Sequence, residues 1–204
     1  MHFIYTFFIA LANNVDNISV RIAYSVRGIK ISTLKNIWIS LITFLISSLA
    51  AFSGTIITNF FSARISSILS MVILVCIGLW IIFEPYLNKK KNVEKYSEVK
   101  KDNSIYDILK NPEKADKDDS KDIDFKEATC LGVALSLNNV GGGISAGMIG
   151  LSSPLVGFFS AVISFLSLWA GNYVTDFLSK RNLNEKAAIL AGVLLIAIGL
   201  KQVV

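Results

Sequence analysis

Asp16 stands in an apolar N-terminal stretch with Asn13, Asn14 and Asn17 around it. A carboxylate at the centre of a membrane helix costs about 2.5–3.5 kcal/mol on insertion scales, so it is expected to face protein or water. Asn13, Asp16, Asn17 and Tyr24 recur at three- and four-residue spacing, which puts them on one helix face. Further along, Asn138 and Asn139 form a second polar pair in an apolar run. Asp16, Asn17, Asn138 and Asn139 are therefore a candidate metal site built from two crossed helices. Oxygen donors suit hard ions such as Mg²⁺, Mn²⁺ or Ca²⁺. The competing reading is plain hydrogen bonding between helices, a common use of asparagine in membranes. Pairing of Asp16 with Arg21 would remove the free ligand charge.

A second constellation is DKDDSKDIDFKE, residues 116–127. Its spacing fits a twelve-residue EF-hand loop, with Asp116, Asp118 and Ser120 at positions 1, 3 and 5. The Asp122 carbonyl falls at 7, apolar Ile123 at 8, Asp124 at 9 and Glu127 at 12. Lys121 occupies position 6, where glycine normally makes the turn at positive φ. The ion would be Ca²⁺. The alternative is a solvated linker ending in a capping box, with Asp124 as N-cap and Glu127 at N3. Elsewhere, Gly141, Gly142 and Gly143 lack the following Lys-Ser/Thr of a phosphate loop. They read as close helix packing, with a broken helix exposing carbonyls as the alternative.

These residues must be positioned by membrane helices. Of the 20 basic and 15 acidic residues, 11 lysines and 11 acids lie between Lys89 and Glu127, so the rest of the chain is nearly uncharged. Mean hydropathy is +0.57, and the pI near 9.2 reflects helix-end lysines rather than nucleic-acid binding. Two isolated cysteines, Cys76 and Cys130, suggest neither a disulfide framework nor a redox pair. No cleavable signal peptide is expected, since the N-terminal stretch lacks a charged start and a small-residue cleavage site. Six segments reach the length of about 20 residues that a bilayer core requires. They are 3–27, 33–60, 64–87, 126–150, 154–178 and 185–204. Gly28 and Gly150 can end helices, Ser32 and Ser153 can cap them, Pro154 suits a first turn, and Pro85 is expected to stop the third helix.

The expected fold is thus an all-α polytopic membrane protein, six transmembrane helices as a 3+3 inverted repeat. Its parts are a first three-helix repeat (1–88), a charged cytoplasmic loop (89–125) and a second repeat (126–204). A shift of 122 residues lays Asp16-Asn17-Ile18 on Asn138-Asn139-Val140 and Gly28 on Gly150. An odd number of helices per half orients the halves oppositely, with a site near the midplane. Arg27, Lys30 and Lys35, the central loop, and Lys180, Arg181 and Lys186 share one side, which the positive-inside rule makes cytoplasmic. Both termini then lie outside a bacterial plasma membrane. The loop before residue 116 has the balanced charge of a mobile segment.

ALANNVDNISVRIAYSVRGIKIS resembles the first helix of the MntP/YtaF family, and ALSLNNVGGGISAGMIGLSSP its fourth. The resemblance covers nearly the whole chain and places it in the wider LysE-type exporter superfamily. It implies a six-helix fold, manganese efflux in the MntP branch and a sporulation membrane role in the YtaF branch. The Asn-Asn-Gly form of the fourth helix and the loop running into it are similar to the YtaF branch. The first-helix acid of the manganese exporters matches Asp16, and their fourth-helix acid matches Asn138. Their second-helix acid has no counterpart in LITFLISSLAAFSG. The function expected is export of a hard divalent cation such as Mn²⁺. The alternatives are a non-transporting scaffold for sporulation or envelope assembly, or an exporter of a small organic solute. Expected partners are the lipid bilayer and the cation, with a homodimer as a further possibility and no nucleic acid. An enzyme is not expected, because no nucleophile–base pair or metal triad is present.

Overall fold

A computed structural model describes residues 2–15, 17, 18, 20, 21, 24, 29–91, 108, 115, 116, 120–179, 193, 196 and 200, with backbone alone at 63, 78, 81, 84–91 and 171–179. Five helices are defined: α1 (His2–Asn13), α2 (Thr33–Thr58), α3 (Ala63–Lys91), α4 (Phe125–Met148) and α5 (Ser153–Ser179). Beyond α1 the backbone is helical again at Val15, Asn17, Ile18, Val20, Arg21 and Tyr24. Of the expected span 185–204 only Val193, Ile196 and Leu200 are described, each helical, and loop residues 92–107, 109–114 and 117–119 lie outside the described residues.

The helices are patterned in reverse of a soluble protein. On α2, Leu41, Leu45, Leu49, Phe52 and Ile56 are exposed at three- and four-residue spacing. Its buried face carries Asn36, Ser40, Thr43 and Ser47. On α5, Leu155, Phe158, Val162, Leu166 and Trp169 point out, while Ser160, Ser164 and Ser167 point in. Leaving one large apolar side chain in water forgoes about 1.5–3 kcal/mol, so such stripes suit lipid rather than water. Among the described residues, α2 and the stretch Ser153–Ala170 of α5 are long and apolar enough to cross a membrane. The chain is a helical membrane protein.

Small residues let the helices approach. A Cβ on Gly147 would overlap the Ala51 carbonyl, and one on Gly54 the Ile144 carbonyl. These contacts, with Ser136 Oγ donating to Thr43 Oγ1 at 3.1 Å, run α2 and α4 side by side in the same direction. In α3 and α4, Ser70 Oγ donates to the Ser145 carbonyl at 3.1 Å, and Ile77 faces Gly141, so this pair is antiparallel. Helix α4 is continuous through Gly141, Gly142 and Gly143, as close packing requires and a broken helix would not be.

Two expected boundaries are revised. Helix α3 continues through Pro85 to Lys91. Proline removes one N–H and crowds one carbonyl, which a long helix tolerates at the cost of that bond. Helix α5 begins at Ser153, so Pro154 sits inside the first turn, where its missing N–H has no helical partner to lose. Ser32 is the N-cap of α2 by backbone conformation, but its side chain makes no capping bond. Gly150 ends α4 as expected, at φ +78°.

Candidate functional site: an asparagine cluster at a break in the first helix

The first helix is interrupted at Asn14, where Asn14 N donates to the Leu11 carbonyl at 3.2 Å and Asn17 N to the Asn14 carbonyl at 3.3 Å. These are three-residue bonds in place of the four-residue bonds of an α-helix. The Ala10 carbonyl, thereby deprived of the Asn14 backbone N–H, accepts the Asn14 side chain instead, Nδ2 to O at 2.8 Å. The break is thus sealed by the residue that makes it.

Around this point three amides and a hydroxyl join three helices. Asn14 Oδ1 accepts from Asn17 Nδ2 and from Asn139 Nδ2 of α4, each at 3.1 Å. Asn17 Nδ2 also donates to Ser164 Oγ of α5 at 3.0 Å. Asn13 lies against Gly142, one turn from Asn139, where any Cβ would overlap its side chain. All four asparagines are buried.

The cluster leaves three amide oxygens without a donor: Asn13 Oδ1, Asn17 Oδ1 and Asn139 Oδ1. A buried acceptor with no partner costs about 1–3 kcal/mol, so three on adjoining side chains need an explanation. A hard cation supplies one, since carbonyl oxygens are its preferred neutral ligands. The hydroxyls of Ser47, Ser48, Ser66, Ser145 and Ser160 are likewise buried without a partner. Two apolar clusters bracket the site. One includes Ile9, Ala12, Ala51, Leu74 and Leu151. The other gathers Val20, Tyr24, Ile29, Ile123, Leu135 and others. Arg21, a turn beyond Asn17, is 3% exposed; it donates to the Ile29 carbonyl over 3.4 Å, and its Nε has no partner.

Of the expected membrane ligands, Asn17 and Asn139 are brought together through Asn14. Asn138 is exposed, because one residue along a helix turns the side chain about 100° from its neighbour. Asp16 lies outside the described residues. Asn14 and Ser164 were not singled out by spacing. The signal for Ser164 was available in Ser160, Ser164 and Ser167, a polar stripe in an apolar helix.

At the end of the loop the capping box is formed, and the turn before it is held by Asp116. Asp116 is buried and accepts from Ser120 N and Lys121 N through its two carboxylate oxygens, each at 3.1 Å. Lys121 has φ +62°, in the left-handed region. Asp124 and Glu127 form the capping box: Glu127 N donates to Asp124 Oδ1 at 2.7 Å, and Asp124 N to Glu127 Oε2 at 3.0 Å. Ser120 Oγ donates to the Asp122 carbonyl at 2.9 Å, and the Asp122 carboxylate pairs with Lys35 at 2.7 Å. Asp118 lies outside the described residues. Among the described residues, no three His, Cys, Asp or Glu side chains are placed to hold a metal.

Comparison with known proteins gives three matches and one negative result. The family model described as "Putative manganese efflux pump" matches residues 103–203. A Bacillus subtilis protein named "Probable sporulation protein YtaF" is 33% identical over 199 residues, covering 94% of this chain and 95% of its own. An Actinobacillus succinogenes protein named "Putative manganese efflux pump MntP" is 26% identical over 91 residues, covering 43% of this chain and 46% of its own. No solved structure matches.

Proposed function

This chain belongs to the YtaF/MntP family, and from that premise we propose that it is a membrane transporter exporting a hard divalent cation such as Mn²⁺. The observation that carries this reading is the trio of buried amide oxygens without donors at the break in the first helix. Discontinuous helices at mid-membrane are where transporters hold ions. Asp16, two residues past the break, supplies the charge, and the Asn13, Asn17 and Asn139 carbonyls complete an oxygen shell. One carboxylate with neutral amides holds a dication loosely, as suits a site that must also release it.

The scaffold is a 3+3 inverted repeat. Two helix-end bonds support it. Ile29 N donates to the Tyr24 carbonyl at 2.9 Å, and Leu151 N to the Ala146 carbonyl at 3.0 Å. Both span five residues, and the pairs are related by the same shift of 122 residues that aligns Gly28 with Gly150. The two apolar clusters then act as opposed gates, opened in turn. With the lysine-rich connections inside the cell, both termini lie outside. Proton exchange through Asp16 is the simplest coupling.

The test is Mn²⁺ flux in sealed proteoliposomes, comparing native protein with Asp16→Asn and repeating with Mg²⁺ and Ca²⁺. Flux that disappears in a folded Asp16→Asn protein supports the reading. Absence of flux for all three ions in folded native protein sinks it and favours a structural role, in keeping with the name of the sporulation relative.

A further inference from the structure

We infer that the segment 120–124 is a gate, docked over the mouth of the pathway at the end of the bundle where the α1–α2 connection lies. The inference deepens the transport reading and rests on it. Three observations carry it. First, the segment is clamped to that connection by backbone bonds: Lys30 N donates to the Lys121 carbonyl at 2.8 Å, and Ile123 N to the Lys30 carbonyl at 3.1 Å. This is an isolated parallel bridge between Lys30 and Asp122. Two bonds with no flanking strand make a contact small enough to break as a unit.

Second, the segment plugs the end of the bundle. Ile123 is fully buried, in one cluster with Ala115, Val20, Tyr24, Leu131 and Leu135. Val20 and Tyr24 continue the helix that carries Asn17, so this cluster stands between the asparagine site and that end of the molecule. Third, the docked form is latched from outside the plug. Lys35 Nζ meets Asp122 Oδ2 at 2.7 Å, and the Asp116 carboxylate holds the two N–H groups of the turn whose Lys121 is in the left-handed region. A non-glycine residue persists there only where its surroundings hold it, so undocking is favoured locally and opposed by the latch. Asp124, the last residue of the segment, is the N-cap of α4, which carries Asn139. Release of the plug therefore acts on the helix that lines the site.

The test uses a Lys30→Cys, Asp122→Cys pair in the full chain, with Cys76 and Cys130 replaced by serine. Both bridge residues are exposed, and side chains facing across such a bridge lie within reach of a disulfide. Oxidation covalently fixes the docked form and stands in for the Lys35–Asp122 latch, which Asp122→Cys removes. Mn²⁺ flux in proteoliposomes is expected to fall to the leak of protein-free vesicles on cross-linking and to return on reduction. Undiminished flux in fully cross-linked protein overturns the gate. A second readout does not depend on transport. In the chain with Cys76 and Cys130 replaced by serine, Val20→Cys beneath the plug is expected to react severalfold faster with a water-soluble thiol reagent when Lys35→Glu removes the latch. Equal rates with and without Lys35→Glu overturn the gate. If the uncross-linked protein moves no Mn²⁺, the transport reading fails, and the labelling rates alone decide whether the segment opens.

Discussion

Asn13 and Asn14 are neighbours, and in an unbroken helix their side chains would point about 100° apart. Both are buried in the same cluster because the chain tightens to three-residue bonds between them and Asn17. Asn14 is the hub, touching Ala10, Asn17 and Asn139. Asn14→Ala removes three hydrogen bonds and leaves the Asn139 amide and the Ala10 carbonyl without theirs, while Asn17 Nδ2 keeps Ser164. The expected loss is about 2–4 kcal/mol of stability, read as a lower thermal midpoint in detergent. A loss below about 0.5 kcal/mol would refute the assignment of Asn14 as the hub. Gly142→Ala tests the neighbouring oxygen: its Cβ would displace the Asn13 side chain, so Mn²⁺ flux should drop while folding survives.

At the scale of elements, the loop end and the start of α4 work as one unit. The capping box ties Asp124 to Glu127, and the Lys121 turn leads into it. Lys121→Gly removes the left-handed penalty and is expected to stabilise the protein by about 1 kcal/mol. Asp124→Ala is expected to cost about 1 kcal/mol, through the lost N-cap bond. Thermal unfolding of the two variants side by side checks both signs, and a destabilised Lys121→Gly would show that the lysine side chain is needed where it stands. The capping box was legible from the D-x-x-E spacing, because its bonds are local. The bridge to Lys30 was not, since it joins residues 30 and 122 through backbone groups that every residue type possesses.

For the whole molecule, the reversed pattern of the helices decides the solvent. Leu45 is 51% exposed on α2, opposite the inward Thr43 and Ser47. Leu45→Arg places a charge on the lipid face, with an expected cost of about 2.5–3.5 kcal/mol on insertion scales. Yield in the membrane fraction should fall, whereas the same change on a water-exposed helix would be harmless.

The sequence by itself determined the membrane setting, the helix boundaries at Gly150 and Asp124, and which polar residues lie in the apolar helices. Those follow from composition, from local spacing, and from backbone freedom that glycine alone has. The family came from the sequence as well, through the motifs of the first and fourth helices. Only the tertiary structure decided which asparagines meet. Periodicity assumes an unbroken helix, and the break at Asn14 changes the register, bringing Asn14 to the centre while Asn138 stays exposed. It also decided that the end of a charged loop is a buried plug, because Ile123 finds its apolar partners on helices distant in sequence.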